Sequence, residues 1–465
     1  MTRCLNLGVS TMLVVAVVLF AESLHAEPHS AQDLQARAGR LRAEFAESAP
    51  GWRPEPPTTG SLVFIAPDQY SPATLDGDRF RAARDEYADS LFELAKQAAE
   101  TGQFSLAFQW ATETLRENPG HADARRVLGY EEREGQWLTP YAVRMADDGK
   151  FWHPQFGWIA PADVARYEAG ERLVGGRWIS AQDDAARHAR MTSGWQVRTD
   201  RFLVTTDHSL EAAVDLAARL ERLYQVWRQL FAGFYLPERE VRKLFSGERR
   251  PRSQLRPFRV YYHRDRDQYV SSLHHRQARI AETLGIYFDV QREAHFFAGS
   301  DQDAGTLYHE AVHQLFQESK RSAARIGGDA NFWIIEGVAT YFETLTEHSD
   351  PQAGLYYTVG EATAGRLPAA RERLADGYYV PLAELTQLGK SELQRRPDIA
   401  KLYSQAAGLS AFLMDADQGR YREPLVRYLD AVYAGRDDGQ SLQQATEVSY
   451  QELDAQYRRH MQSLP

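Results

Sequence analysis

Residues 307–316 read Leu-Tyr-His-Glu-Ala-Val-His-Gln-Leu-Phe. Positions four apart on a helix share a face, so His309 and His313 can offer two imidazoles to one metal ion. Glu310 lies one residue on, turned by about 100° around the axis. Its carboxylate then falls beside such an ion, where it can take a proton from a water held there. The five-residue pattern alone is not decisive: at this composition it arises by chance in a chain of this length with probability of roughly 0.03.

A second motif adds to it. Residues 332–343 read Phe-Trp-Ile-Ile-Glu-Gly-Val-Ala-Thr-Tyr-Phe-Glu. Glu336 stands among apolar neighbours, where an unpaired carboxylate is costly and a cation would compensate it. A catalytic zinc takes three protein ligands and keeps one position open. His309, His313 and Glu336 fill that count for one Zn2+ ion, although iron or manganese also accept such donors. Glu343, seven residues on and back on the same face, is placed to orient a ligating histidine.

The elements that must position these groups follow from periodicity. Leu307, Ala311, Leu315 and Phe316 give the histidine helix a core-facing stripe. Upstream, residues 202–206 and 258–262 read as strands, 285–297 as a strand or hairpin, and 210–231 as a long amphipathic helix. Helices dominate after Gly305. Strands followed by helices predict an α+β domain over residues 195–465.

The pairing of H-E-x-x-H with W-x-x-E-G-x-A-x-Y-x-E resembles the gluzincins, the zinc metallopeptidase superfamily that includes thermolysin and aminopeptidase N. It is most similar to the peptidase-MA-like domains of exported bacterial proteins. The resemblance matches His309, His313 and Glu336 to the zinc ligands and Glu310 to the general base. It implies hydrolysis of a peptide or protein substrate, an upstream sheet, a ligand helix and a helical C-terminal lobe. Gly285 to Phe288 is similar to the edge strand that pairs with extended substrate. Tyr403 stands where aminopeptidase-type relatives carry a tyrosine donor to the oxyanion, and His295 is a second candidate. There is no Gly-x-Met-Glu-Asn-like segment, and Thr340 stands where the thermolysin pattern has aspartate. Neither subfamily's specificity is therefore implied. A zinc-binding pseudoenzyme, a non-peptide substrate and an interaction scaffold remain as rivals; the intact Glu310 argues for the enzyme, because binding zinc does not need it.

The rest of the chain frames this region. Arg3, the apolar run Met12 to Ala21 and a small-residue site ending at Ala26 predict a signal peptide over 1–26 and export to the periplasm or beyond. The run is too short for a membrane span of ~20 residues. Cys4 is the sole cysteine, so no disulfide is expected. Residues 27–80 are polar and then proline-rich and predict a short helix and a linker. Residues 81–134 carry Leu91, Leu94, Ala95, Ala98, Gly102, Phe104, Ala107, Ala111 and Pro119 at the offsets of a TPR-like (tetratricopeptide) helical hairpin, too few repeats for a binding solenoid.

Over 135–194, Trp137, Trp158 and Trp178 recur in a Gly-x-Trp module, each predicting a turn, a short strand and a helix start. Thr139 and Ser180 are candidate N-caps. The basic stretch Arg239 to Arg256, diluted by Glu238, Glu240 and Glu248, reads as a solvated insertion loop. The formal net charge of −10 gives no general attraction to nucleic acid.

Overall fold

The computed structural model describes residues 31–50, 62–65, 80–248, 256–299, 304–350 and 354–464. The expected signal segment and most of the proline-rich linker lie outside the described residues. Helix α1 (Ala31–Ser48) is the first element, and strand β1 (Leu62–Ile65) leaves to pair far downstream. Helices α2 (Arg81–Glu100) and α3 (Phe104–Glu117) form the expected hairpin, with Gly102 at φ +80° supplying the reversal. Ala95, Ala98, Ala107 and Ala111 are buried, and their small side chains let the two helices approach closely.

The hairpin is bonded to the rest of the protein. Ser105 on α3 donates its backbone N–H to Glu423 Oε1 at 2.6 Å. Thr112 bonds Gln229 on α4 (Leu210–Leu230), and Arg228 on α4 donates to the Leu128 carbonyl at 2.6 Å. The basic stretch departs from its expected form in its first half. Residues Glu238–Phe245 form helix α5, which buries Val241, Leu244 and Phe245 in the same core as α2 and α3. Those three residues fall at helical spacing, and burial of that apolar stripe outweighs the charge on the other face.

Three antiparallel hairpins follow α3: β2 (Glu131–Arg133) with β3 (Gln136–Leu138), β4 (Phe151–His153) with β5 (Gly157–Ile159), and β6 (Glu171–Val174) with β7 (Arg177–Ser180). A short helix follows each. Thr139 accepts from Ala142 N at 3.3 Å and Ser180 from Asp183 N at 3.0 Å, so both cap as expected. The rings staple the module. Trp152 and Trp158 meet edge to face at 5.3 Å, and the Arg166 guanidinium sits 4.1 Å from the Trp178 ring centre.

A five-stranded mixed sheet lies next along the chain. It comprises β8 (Trp195–Arg198), β9 (Phe202–Thr206), β10 (Phe258–His263), β11 (Ile286–Phe288) and β12 (Glu293–Phe297), in the order β11-β12-β10-β9-β8. Strands β9, β10 and β12 run parallel, while β8 and β11 are antiparallel edges. One face buries Phe202, Val204, Val260, Ala294 and Phe296 against α4 and the helices that follow. A second sheet joins β1 to β14 (Gly354–Val359) and β13 (Thr346–Asp350), all antiparallel, inside the stretch expected to be helical. The architecture is mixed α+β.

Candidate metal centre

Helix α6 (Ala304–Glu318) carries the paired histidines. Leu307, Ala311, Val312, Leu315 and Phe316 are buried, and this stripe fixes which way the adjoining stripe faces. His309 and His313 stand there with ring centres 4.8 Å apart. Helix α7 (Phe332–Phe342) is buried on every side, which accounts for its almost continuous apolar sequence. It starts after Asn331 at φ +56°, whose side chain donates to Asp437 Oδ2 and accepts from the Tyr428 hydroxyl. A Cβ at Gly337 would stand 2.5 Å from Ser410 Oγ and 3.0 Å from the Ala406 carbonyl on α8 (Ile399–Gly419). The glycine after Glu336 therefore lets α8 approach, and with it Tyr403.

The two motifs converge. His309 Nε2 and His313 Nε2 face each other at 3.2 Å, and Glu336 Oε2 lies 3.4 Å from the first and 3.7 Å from the second. Among the described residues this is the one group of three donors able to hold a metal ion. His309 turns its other nitrogen, Nδ1, to Glu343 Oε1 at 3.0 Å. Arg366 grips the same carboxylate with Nε to Oε2 at 2.8 Å and Nη2 to Oε1 at 3.1 Å. This brace fixes the imidazole and leaves Nε2 directed at the donor triangle. Thr340 takes no part, because its hydroxyl bonds the Glu336 and Gly337 carbonyls within the helix.

Charge in this pocket is strongly coupled. Burial pulls His309 down, but the carboxylates of Glu336 and Glu343 outweigh it and raise the imidazole above its ordinary value. Burial pushes Glu336 up, and the two histidines reverse that to well below the usual carboxylate range. Glu310 has no such partner in excess; burial keeps it above its ordinary value, making it the more basic carboxylate. Its Oε2 accepts the Tyr287 backbone N–H of edge strand β11 at 3.1 Å. A Cβ on Gly285 would lie 3.0 Å from the Phe296 ring and 3.2 Å from Glu310 Cγ, so only glycine leaves this approach unobstructed.

These groups line a cleft of about 1290 Å³. Tyr403 lines it from α8, its phenol raised first by burial and then by the charge of Glu336, so it stays protonated and able to donate. The edge strand Ile286 to Phe288 forms another part of the lining. His295 is corrected by the structure. It points to the opposite face of β12 from Ala294 and Phe296, contacts His263 at 3.2 Å and stacks on Tyr261. It does not line the cleft. Arg366 and Tyr433 do, and no local motif marked them, since tertiary packing alone brings them here. No protein-family model matches this chain, and no curated protein matches it at a significant level.

Proposed function

We propose that the chain is a zinc-dependent peptidase, with a gluzincin-like region over 195–465 and a TPR-like hairpin that braces it. The observation that carries this reading is the donor triangle of His309, His313 and Glu336 in a large cleft, with the carboxylate of Glu310 beside it. Ligands about 2.0–2.2 Å from a tetrahedral zinc stand roughly 3.3–3.5 Å apart, and the edges here are 3.2, 3.4 and 3.7 Å. The donor set fits the ion. A bound zinc supplies Lewis acidity, polarising a carbonyl and acidifying water.

The remaining steps belong to the chain's own residues. Edge strand β11 offers its outer side to an extended peptide alongside the donors, its Tyr287 N–H being the group that Glu310 holds. Glu310 accepts a proton as a water oxygen bonds to the carbonyl carbon, and returns it to the amide nitrogen as the C–N bond breaks. Tyr403 donates a hydrogen bond to the carbonyl oxygen as charge gathers there. Glu343, locked by Arg366, keeps His309 oriented throughout. In the same reading the mature protein begins near Glu27 and acts outside the cytoplasm.

The test is a mixed peptide library digested by the purified protein with and without a chelator. Chelator-sensitive cleavage is expected. Glu310→Gln should keep its metal and lose on the order of 10²–10⁴-fold in rate. Equal cleavage by the variant and the parent would overturn the assignment.

A further inference from the structure

The loop 323–329 and the short helix Lys390–Gln394 supply another section of the cleft's lining. They form one unit. Lys390 N donates to the Gly327 carbonyl at 2.9 Å, Phe332 N donates to the Leu388 carbonyl at 3.2 Å, and Gly389 packs so closely on Gly328 that a Cβ would strike its carbonyl. Arg325, Lys390 and Arg395 project from this wall, all exposed and all lining the cleft.

Among the described residues none of the three makes an ion pair, although Asp329 and Glu392 stand on the same wall. Glu392 is turned back to the Gly389 N–H at 3.3 Å, and Arg395 Nε is directed by the Ser391 carbonyl at 2.8 Å. The next residue shows the contrast. Arg396 does not line the cleft and is paired with Asp398 at 2.9 Å and Glu384 at 3.0 Å. In a chain of formal net charge −10, cations left unpaired at the mouth of a cleft favour anions and repel other cations.

The wall is also near the candidate chemistry. Lys390 Nζ lies 5.6 Å from the Phe332 ring centre. Phe332 precedes Glu336 by one helical turn, about 5.4 Å, on the same face. The two steps together correspond to roughly three residues of extended peptide.

We infer that this wall selects peptides with acidic side chains within a few residues of the cleaved bond, an inference that rests on the peptidase reading above. The guanidiniums of Arg325 and Arg395 suit bidentate capture of carboxylate, and Lys390 supplies a point charge beside them. Exposed pairs of this kind are individually weak and act through their number.

The test measures binding apart from cleavage. Zinc-loaded Glu310→Gln protein is titrated by fluorescence anisotropy with labelled peptides of one length carrying Glu, Gln or Lys at the same positions. The Glu peptide is expected to bind on the order of 5–20-fold more tightly than the Gln peptide at about 20 mM salt, the gap closing at about 500 mM. The Lys peptide should bind weakest. Adding Arg325→Gln, Lys390→Gln and Arg395→Gln together should bring the Glu peptide to the level of the Gln peptide. All three lie on the surface, so the fold survives, as circular dichroism can verify. Equal binding of Glu and Gln peptides, or a preference that survives the triple substitution, overturns the inference. So does tighter binding of an oligonucleotide than of the Glu peptide. Cleavage by the parent protein without acidic preference removes this inference and leaves the peptidase standing. Acidic preference without cleavage of any peptide removes the peptidase and leaves the acidic-peptide cleft.

Discussion

Around His309 the interior is crowded with charge, whereas the rings of Trp158 and Trp178 are half-buried, Trp158 packed edge to face on Trp152 and Trp178 covered by the Arg166 guanidinium. Both regions come from sequence patterns that repeat or recur, and they use burial in opposite ways. At the donor triangle, every polar group depends on another: Glu336 on two histidines, His309 on Glu343, Glu343 on Arg366. Removing one partner leaves an uncompensated buried charge, which costs about 3–5 kcal/mol. In the hairpins the contacts are ring pairs and cation–ring contacts near the surface, where a cation over a ring contributes only about 0.5–1 kcal/mol. Interdependence concentrates where chemistry is proposed; the tryptophan hairpins rest on separate contacts.

That contrast can be broken by paired substitutions. Glu336→Ala should lose bound metal, with stoichiometry near zero and hydrolysis abolished. Trp178→Ala should keep full stoichiometry and lower unfolding free energy by about 1–2 kcal/mol. Metal analysis and denaturant titration of both proteins decide, and similar metal content in the two would erase the distinction. Tyr403→Phe is expected to retain metal while kcat falls on the order of 10²–10³-fold, as one oxyanion donor is lost. Steady-state kinetics on a cleaved peptide check this; an unchanged kcat would return Tyr403 to a packing role. Glu343→Ala frees the imidazole it braces, and metal affinity should drop about 10–100-fold in a competition titration.

A pH-dependent effect sharpens the comparison from a third place. Asp415 on α8 accepts the Tyr341 hydroxyl of α7 at 3.0 Å. Burial, only partly opposed by Arg422 and this bond, pushes its carboxyl up to about 7. The folded state therefore holds a proton that the unfolded chain releases near the ordinary carboxylate value. Asp415 contributes stability at acid pH, and that contribution is lost as pH rises through about 7. Asp415→Asn should flatten the slope between pH 4 and pH 8 and gain on the order of 1–3 kcal/mol at the alkaline end. Thermal melts across that range measure it.

The donors were legible because helical spacing alone puts His309, Glu310 and His313 in register, and because Glu336 and Glu343 violate the apolar pattern around them. The helical hairpin and tryptophan hairpins were legible for a similar reason, since Gly102 and the Gly-x-Trp repeats are local signals. Strand β1 was not, because its partner strand lies nearly three hundred positions away (Leu62 pairs with Val359) and four residues carry no period. The hairpin of β13 and β14 was hidden by strong helical signals on both sides. Helix α5 was hidden by its arginines, although Val241, Leu244 and Phe245 kept the spacing of a buried stripe. Arg325, Lys390 and Tyr433 meet only through tertiary packing, so nothing near them in sequence announces the cleft they share.

The bond from Ser105 to Glu423 spans 318 positions, and one from Gln35 to the Gln418 carbonyl spans 383. Both tie the beginning of the described chain to its last quarter. A ribosome delivers these partners in order, so the N-terminal hairpin must wait for nearly the entire remainder of the protein before its flank is covered. Tyr403 and Tyr433 arrive in that same late stretch. Until they are made, the part of the cleft that α8 and Tyr433 line is missing. Chain order thus leaves the last side chains of the cleft, Tyr403 and Tyr433, among the last to be delivered.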